Sequence, residues 1–335
     1  MPPAIENRID LAERLDQMGV EVRFDARDGF PVIDGQKAST QQFHALLDRS
    51  AIEPGLILPN TATEKGLRIW DAFYLEHSFD PLVEWLEDCA AGSTALDPGD
   101  LPGVLWGDRV EPDFAELVEW SWRALFTAVV ARAFDPPAKW DIVPIIVGEQ
   151  GCGKSTAVTG LLPEQWTNGG FPLRGVKDFD SGRKTLEFTE GKAILESSEM
   201  VGLKRGQVEN VKSFISQTTD RATRKYARRA DDVPRRWVIV GTTNDHQPIP
   251  HDRSGGRRWI VTRIYGVLPT DGLDQYRTLE EVRRFYWAGA VDLYREGFDL
   301  SVPEHLRDMH AEMVDRYMWK PASEGGDIMA QIMEA

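Results

Sequence analysis

The run Trp140-Asp-Ile-Val-Pro-Ile-Ile-Val147-Gly-Glu-Gln-Gly-Cys-Gly-Lys154-Ser155-Thr156 constrains this chain more than any other. Ile142, Val143, Ile145, Ile146 and Val147 read as a buried strand, and Thr156–Leu162 as a helix. Between them stands Gly148-x-x-x-x-Gly153-Lys154-Ser155, the spacing of a phosphate-binding loop. Gly148, Gly151 and Gly153 let backbone N–H groups turn inward around phosphates, and the following helix adds its positive end. Glu149, Gln150, Cys152 and Thr156 complete the expected nucleotide cradle. Lys154 is placed to reach the β- and γ-phosphates, and the Ser155 hydroxyl to ligate Mg²⁺. The spacing predicts a chain that binds ATP with Mg²⁺.

Such chemistry needs an acid at the end of a second buried strand. Lys192-Ala-Ile-Leu-Glu196-Ser-Ser-Glu199 supplies two carboxylates, with Glu196 at the strand tip as the Mg²⁺ or water ligand and Glu199 beyond it. Trp237-Val-Ile-Val-Gly-Thr-Thr-Asn244 is a third strand, whose terminal amide is suited to orient the attacking water. Arg257 and Arg258 lead a fourth strand, and one of them is a candidate arginine finger toward a neighbouring subunit. Neighbours on a strand face opposite ways, so spacing does not choose between them.

At 335 residues the chain is long enough for one large domain or two medium ones. No apolar run reaches the ~18 residues of a membrane span. The first residues lack the basic and apolar regions of a signal peptide, and Cys89 and Cys152 make no disulfide framework. A reducing, cytoplasmic setting without membrane contact is expected. The net charge of −15 is uneven. Residues 1–140 hold 12 basic against 25 acidic side chains, and residues 141–335 hold 27 against 29. Within that nearly neutral half, seven of the sixteen residues 221–236 are basic. Arg221, Arg224, Lys225, Arg228 and Arg229 are candidate phosphate contacts on nucleic acid, and Tyr226 is a candidate base-stacking residue. Lys212, on the preceding helix, is a further contact candidate. The eleven tryptophans fall mostly on apolar helix faces and are expected in the core.

Residues 1–60 show a helix face at Ile9, Leu11, Leu15 and Met18, a strand over Val20–Phe24 and a helix over Thr40–Leu47. Helices are expected over Pro81–Cys89 and Phe114–Phe134, with Gly92–Pro112 between them as a loop or linker. Strands and helices alternate from Ile142 to Ile264, and helices over Leu279–Tyr294 and Pro303–Tyr317 close the chain.

With these elements in place, the chain resembles the virulence-associated E family, proteins of phages and mobile elements allied to superfamily 3 helicases and AAA+ ATPases. The text that carries the likeness includes Phe79-Asp-Pro-Leu-Val-Glu-Trp-Leu86, the phosphate loop, Glu196-x-x-Glu199, Val211-Lys-Ser-Phe-Ile-Ser216, Asp220-Arg-x-x-Arg-Lys-Tyr226, Gly241-Thr-Thr-Asn244 and Gly255-Gly-Arg-Arg-Trp259. It spans about residues 75 to 320. The resemblance implies an α/β, AAA+-like P-loop core over 141–270. A helical collar over 76–140, an α+β unit over 1–75 and a helical segment over 271–335 flank it. It also implies a ring, a hexamer, that moves along single-stranded or forked DNA during replication, beside a separate primase or polymerase. In such helicases the basic interval holds a hairpin that projects into the central channel. A DNA-binding initiator or loader that does not unwind, and an ATPase switch acting on proteins, are the rival readings. Residues 1–75 carry no metal-binding acid pair or zinc site, so no primase activity is expected in them.

Overall fold

The computed structural model describes residues 5–52, 58–92, 94–173, 182–198, 205–222, 231–250, 256–266 and 273–320. The chain divides into two compact units, residues 1–81 and 82–335.

The first unit is α+β. Helix α1 (Arg8–Gln17) starts at a capping box in which Asn7 and Asp10 satisfy each other's backbone N–H groups. Strands β1 (Val22–Asp25), β2 (Pro31–Ile33) and β3 (Gln36–Lys37) form an antiparallel meander. After α2 (Thr40–Ile52) and α3 (Glu64–His77), β4 (Ser78–Phe79) joins β1 in parallel. Helix α3 is not among the expected elements. Its apolar stripe of Ile69, Trp70 and Phe73 packs edge-on around Phe24 and completes the core of this unit.

The second unit is mixed α/β around a parallel sheet. Helices α4 (Pro81–Gly92), α5 (Leu101–Trp106) and α6 (Ala115–Phe134) precede it. Gly92–Pro112 is therefore no linker, because α5 lies inside it and buries Leu101, Leu105 and Trp106. Fifteen of the 20 residues of α6 are buried, so this helix passes through the interior between the sheet and α10 (Leu273–Arg295).

The strands are β5 (Val143–Val147), β6 (Thr167–Gly169), β7 (Ile194–Ser198), β10 (Val238–Thr243) and β11 (Trp259–Arg263). Their order is β11-β5-β10-β7-β6, all parallel. The chain leaves β5 for the far edge at β6, returns through β7 and β10, then crosses to the other side of β5 at β11. Strand β5 is thus where the winding reverses, and a crevice outside the carboxyl end of such a strand is the usual ligand site of open α/β sheets. Helices α7 (Lys154–Gly160), α8 (Gly182–Thr189) and α9 (Arg205–Ser216) fill the crossovers. A hairpin of β8 (Thr219–Ala222) and β9 (Asp231–Pro234) stands between α9 and β10. Helix α11 (Arg307–Tyr317) covers β11.

One hydrophobic core runs from Leu82 to Tyr317. Trp106, Trp122, Trp259 and Trp287 are fully buried in it, as expected of the tryptophans, whereas Trp319 is exposed. Among the described residues no helix is long and apolar enough to cross a membrane.

Candidate functional site

The segment after β5 turns through Gly151 (φ +84°) and Gly153 (φ +79°), left-handed conformations that glycine adopts without the strain of a side chain. Gly148 has a different reason: a Cβ there would lie 2.7 Å from Cys152 Sγ and 3.2 Å from the carbonyl of Ile264. Cys152 itself is buried, with its carbonyl receiving the Trp106 indole N–H at 3.3 Å. It supports the loop from within and does not line the cleft.

Lys154 is the first residue of α7 and is buried. Its Nζ donates to the carbonyls of Gly148 (3.0 Å) and Glu149 (2.8 Å) and to Asn244 Oδ1 (2.8 Å). The ammonium therefore joins the glycine loop to the end of β10. Ser155 Oγ donates to Glu196 Oε1 at 2.6 Å, and Thr242 Oγ1 donates to the same oxygen at 2.5 Å. Glu196 is buried and sits in the middle of β7, which continues to Ser198, not at its tip. The second carboxylate oxygen faces Gly169, where a Cβ would come within 3.2 Å of it.

Lys154, Ser155, Thr242 and Asn244 share one cleft of about 410 Å³ at the carboxyl edge of the sheet, lined also by Gln150, Gly151, Gly153, Thr156, Ser198 and Thr243, with Glu196 buried behind Ser155 and Thr242. Thr242, Thr243 and Ser198 are site residues that the sequence reading did not assign. Their signal was present: hydroxyls at the carboxyl ends of strands that are otherwise apolar.

A protein-family comparison adds to this geometry. The model of the virulence-associated protein E-like domain matches residues 112–318. The chain belongs to that family. No curated protein sequence matches it. Among solved structures, the virulence-associated E-like chain is similar to the apo NrS-1 C-terminal region, at a TM-score of 0.56 and 15% identity. The match covers 94% of this chain and 76% of that one. The A form of the same region matches at a TM-score of 0.55 and 15% identity, over 93% and 76% of the two chains. At that identity the likeness speaks to fold alone.

The structure does not bring Arg257 and Arg258 to this cleft. Trp259 pairs with Val143 and Arg263 with Val147, so both arginines stand at the amino edge of the sheet. The loop follows Val147 at the other edge, at least ~13 Å away along β5. Arg257 donates to Asp141 at 3.4 Å with most of its side chain in solvent. Arg258 approaches the same carboxylate to 3.7 Å, donates to Ser216 Oγ at 3.1 Å and is largely buried.

Lys212 is also buried and pairs with Glu209 at 3.0 Å. Of the basic interval, Arg221 is exposed on β8 opposite Asp232. Arg235 is buried: it makes a two-toothed pair with Asp220 (2.9 and 2.6 Å), donates to Gln217 and lies over the Phe214 ring. It pins the hairpin stem to α9. Glu199, Arg224, Lys225, Tyr226, Arg228 and Arg229 lie outside the described residues.

Proposed function

We propose that this virulence-associated E-like chain is an ATP hydrolase of the AAA+, superfamily 3 helicase type, which forms a ring and moves along DNA in the replication of a phage or mobile element. The observation that carries the reading is the convergence of Lys154, Ser155 and Asn244 on one cleft at the reversal point of the sheet, with Glu196 bonded to Ser155 behind it. Lys154 neutralises charge on the β- and γ-phosphates, and the loop N–H groups hold the remaining oxygens. Asn244, now seen beside Lys154, orients the attacking water.

Ser155 and Glu196 offer a hydroxyl and a carboxylate, the hard oxygen donors that Mg²⁺ takes together with substrate phosphates and water. That donor set fits the ion. Among the described residues no cluster of three or more acidic, histidine or cysteine side chains stands as a cage of its own. When bound, the metal adds positive charge where negative charge develops on the phosphates.

The β8–β9 stem, with residues 223–230 as its connection, supports the DNA part of the reading. Arg224, Lys225, Arg228 and Arg229 follow the phosphate backbone inside the ring, and Tyr226 stacks on a base. A primase or polymerase would be a separate protein in the same bacterial cytoplasm.

The test is ATP turnover by the wild type and by Lys154→Ala, with and without single-stranded DNA, followed by unwinding of a fork. Turnover is expected to fall roughly 100-fold or more in the folded mutant. DNA is expected to stimulate the wild type. Hydrolysis by a folded Lys154→Ala protein at the wild-type rate overturns the enzyme reading. DNA-stimulated turnover without unwinding leaves an initiator or loader, and turnover indifferent to DNA leaves a switch acting on proteins.

A further inference from the structure

We propose that Tyr265 is the platform on which the base of a purine nucleoside triphosphate stacks. This rests on the nucleotide reading above and extends it from the phosphates to the base. The direction of the nucleotide follows from the order of the strands. Lys154 reaches toward Asn244 at the end of β10, and Ser155 toward Glu196 on β7. Both partners lie on one side of β5, and β11 lies on the other. A triphosphate whose terminal phosphate sits among those groups extends its nucleoside toward β11.

The carboxyl end of β11 meets the glycine loop directly. The Ile264 N–H donates to the Val147 carbonyl at 2.7 Å, and Ile264 packs against Gly148. The next residue is Tyr265. The residue is 48% exposed, unusual for a large aromatic in a unit that buries most of its tryptophans. Yet the residue is held at three points, two of them on its side chain. The backbone N–H of Tyr265 donates to the Arg109 carbonyl at 2.9 Å, and the hydroxyl donates to the buried Glu111 carboxylate at 3.0 Å. The Arg263 guanidinium lies 5.4 Å from the ring centroid.

Glu111 is fixed in turn by the Tyr317 hydroxyl and by Arg316. Burial and the Glu111 carboxylate push the Tyr265 hydroxyl above its ordinary range, so it remains a donor. A ring that is immobilised while exposed loses little further freedom when a base covers it. Arg263, itself buried, backs the ring and leaves the exposed part of Tyr265 open to a base. A purine offers the larger stacking face, which favours purines over pyrimidines.

The experiment is calorimetric titration of the full chain with Mg·ATP, Mg·UTP and Mg·tripolyphosphate, for wild type, Tyr265→Ala, Tyr265→Phe and Lys154→Ala. Tyr265→Ala is expected to weaken ATP binding roughly 10-fold or more, in line with stacking on an aromatic ring. Its tripolyphosphate affinity should match the wild type, which also shows that the variant is folded. Tyr265→Phe keeps the ring and should recover most of the lost ATP affinity. Lys154→Ala should weaken ATP and tripolyphosphate alike. Equal loss of both ligands in Tyr265→Ala, or loss of neither, overturns the platform while leaving the nucleotide site intact. Failure of the wild type to bind either ligand overturns the nucleotide reading and the platform with it.

Discussion

His310 and Met313 close the open edge of the sheet through side chains. His310 Nε2 donates to the Trp259 carbonyl at 2.9 Å, and Met313 Sδ accepts the Val261 N–H at 3.2 Å. An exposed strand edge is a template for unwanted pairing; α11 covers the first part of β11 here, and the backbone of residues 109–111 pairs with its carboxyl end. Donation from Nε2 suits the neutral ring, and burial holds the imidazole below its ordinary value near 6.5. The unfolded chain therefore binds this proton more tightly than the folded one. Stability from the site is whole above pH 6.5 and is lost as pH falls through the depressed folded value. Thermal melts between pH 7.5 and pH 5.5 should show this loss in the wild type. His310→Gln, which keeps a donor but no titration, should flatten it. An unchanged slope in the variant would assign the pH dependence elsewhere.

At the scale of elements, the β8–β9 hairpin separates two kinds of arginine within one basic segment. Arg235 in the stem is sealed between Asp220, Phe214 and Trp237, with a carbonyl of α9 as a further partner. Truncating one partner of a buried pair leaves the other charge uncompensated, at about 3–5 kcal/mol. Arg235→Ala should therefore lower the melting temperature by about 10 °C. Arg221→Ala, on the exposed face, should stay within about 0.5 kcal/mol of wild type. In the connecting residues the reverse is expected. Changing both Arg224 and Arg228 to Ala should leave the melt alone and reduce the log–log salt slope for single-stranded DNA by about 1.4, at about 0.7 per phosphate contact. A melt that responds to the connection and not to the stem would exchange these roles. Helix α6 shows a similar division: Arg132 is buried, donates to the carbonyls of Ala138, Trp140 and Trp237 and is pushed down to about 9, chiefly by burial and then by the charge of Arg235. It remains charged at neutral pH and ties the amino ends of β5 and β10 to the helix.

For the whole molecule, the proposed role of Arg257 as a finger requires assembly. An arginine at the amino edge of the sheet does not reach the cleft at the carboxyl edge of its own chain. Only a neighbouring chain can present it there. Arg257 is the better candidate, because its side chain is largely in solvent, whereas Arg258 is held by Asp141 and Ser216. Arg257→Ala is expected to lower hydrolysis roughly 10³-fold, within the range for arginine fingers. Mixing it with Lys154→Ala should restore turnover, because some interfaces then pair an intact loop with an intact finger. Specific activity of the wild type should also rise with protein concentration. Co-assembly of the two mutants without restored turnover would return Arg257 to a role within its own subunit.

The glycine loop was legible in the sequence because its geometry is local. The left-handed turns at Gly151 and Gly153 need no distant partner to dictate them, and an apolar run followed by a helix sets the direction of Lys154. Asn244 was legible for a related reason: a polar amide that ends a buried strand has to emerge at the sheet's edge. Glu196 was found as a residue but misplaced by two positions, since the ladder to β10 extends β7 through Ser198. Helix α3 escaped notice because its stripe gains meaning only against Phe24. Charge counting could not separate Arg221 from Arg235, because burial depends on Asp220, Phe214 and Trp237 converging from three elements. The sequence by itself determined the loop, its lysine and the alternation of strands and helices, all set by neighbours a few residues away. Only the tertiary structure decided the order of the strands. That order puts Glu196 and Asn244 on one side of the loop, Tyr265 on the other and Arg257 at the opposite edge, because strand pairing joins residues that lie a hundred positions apart.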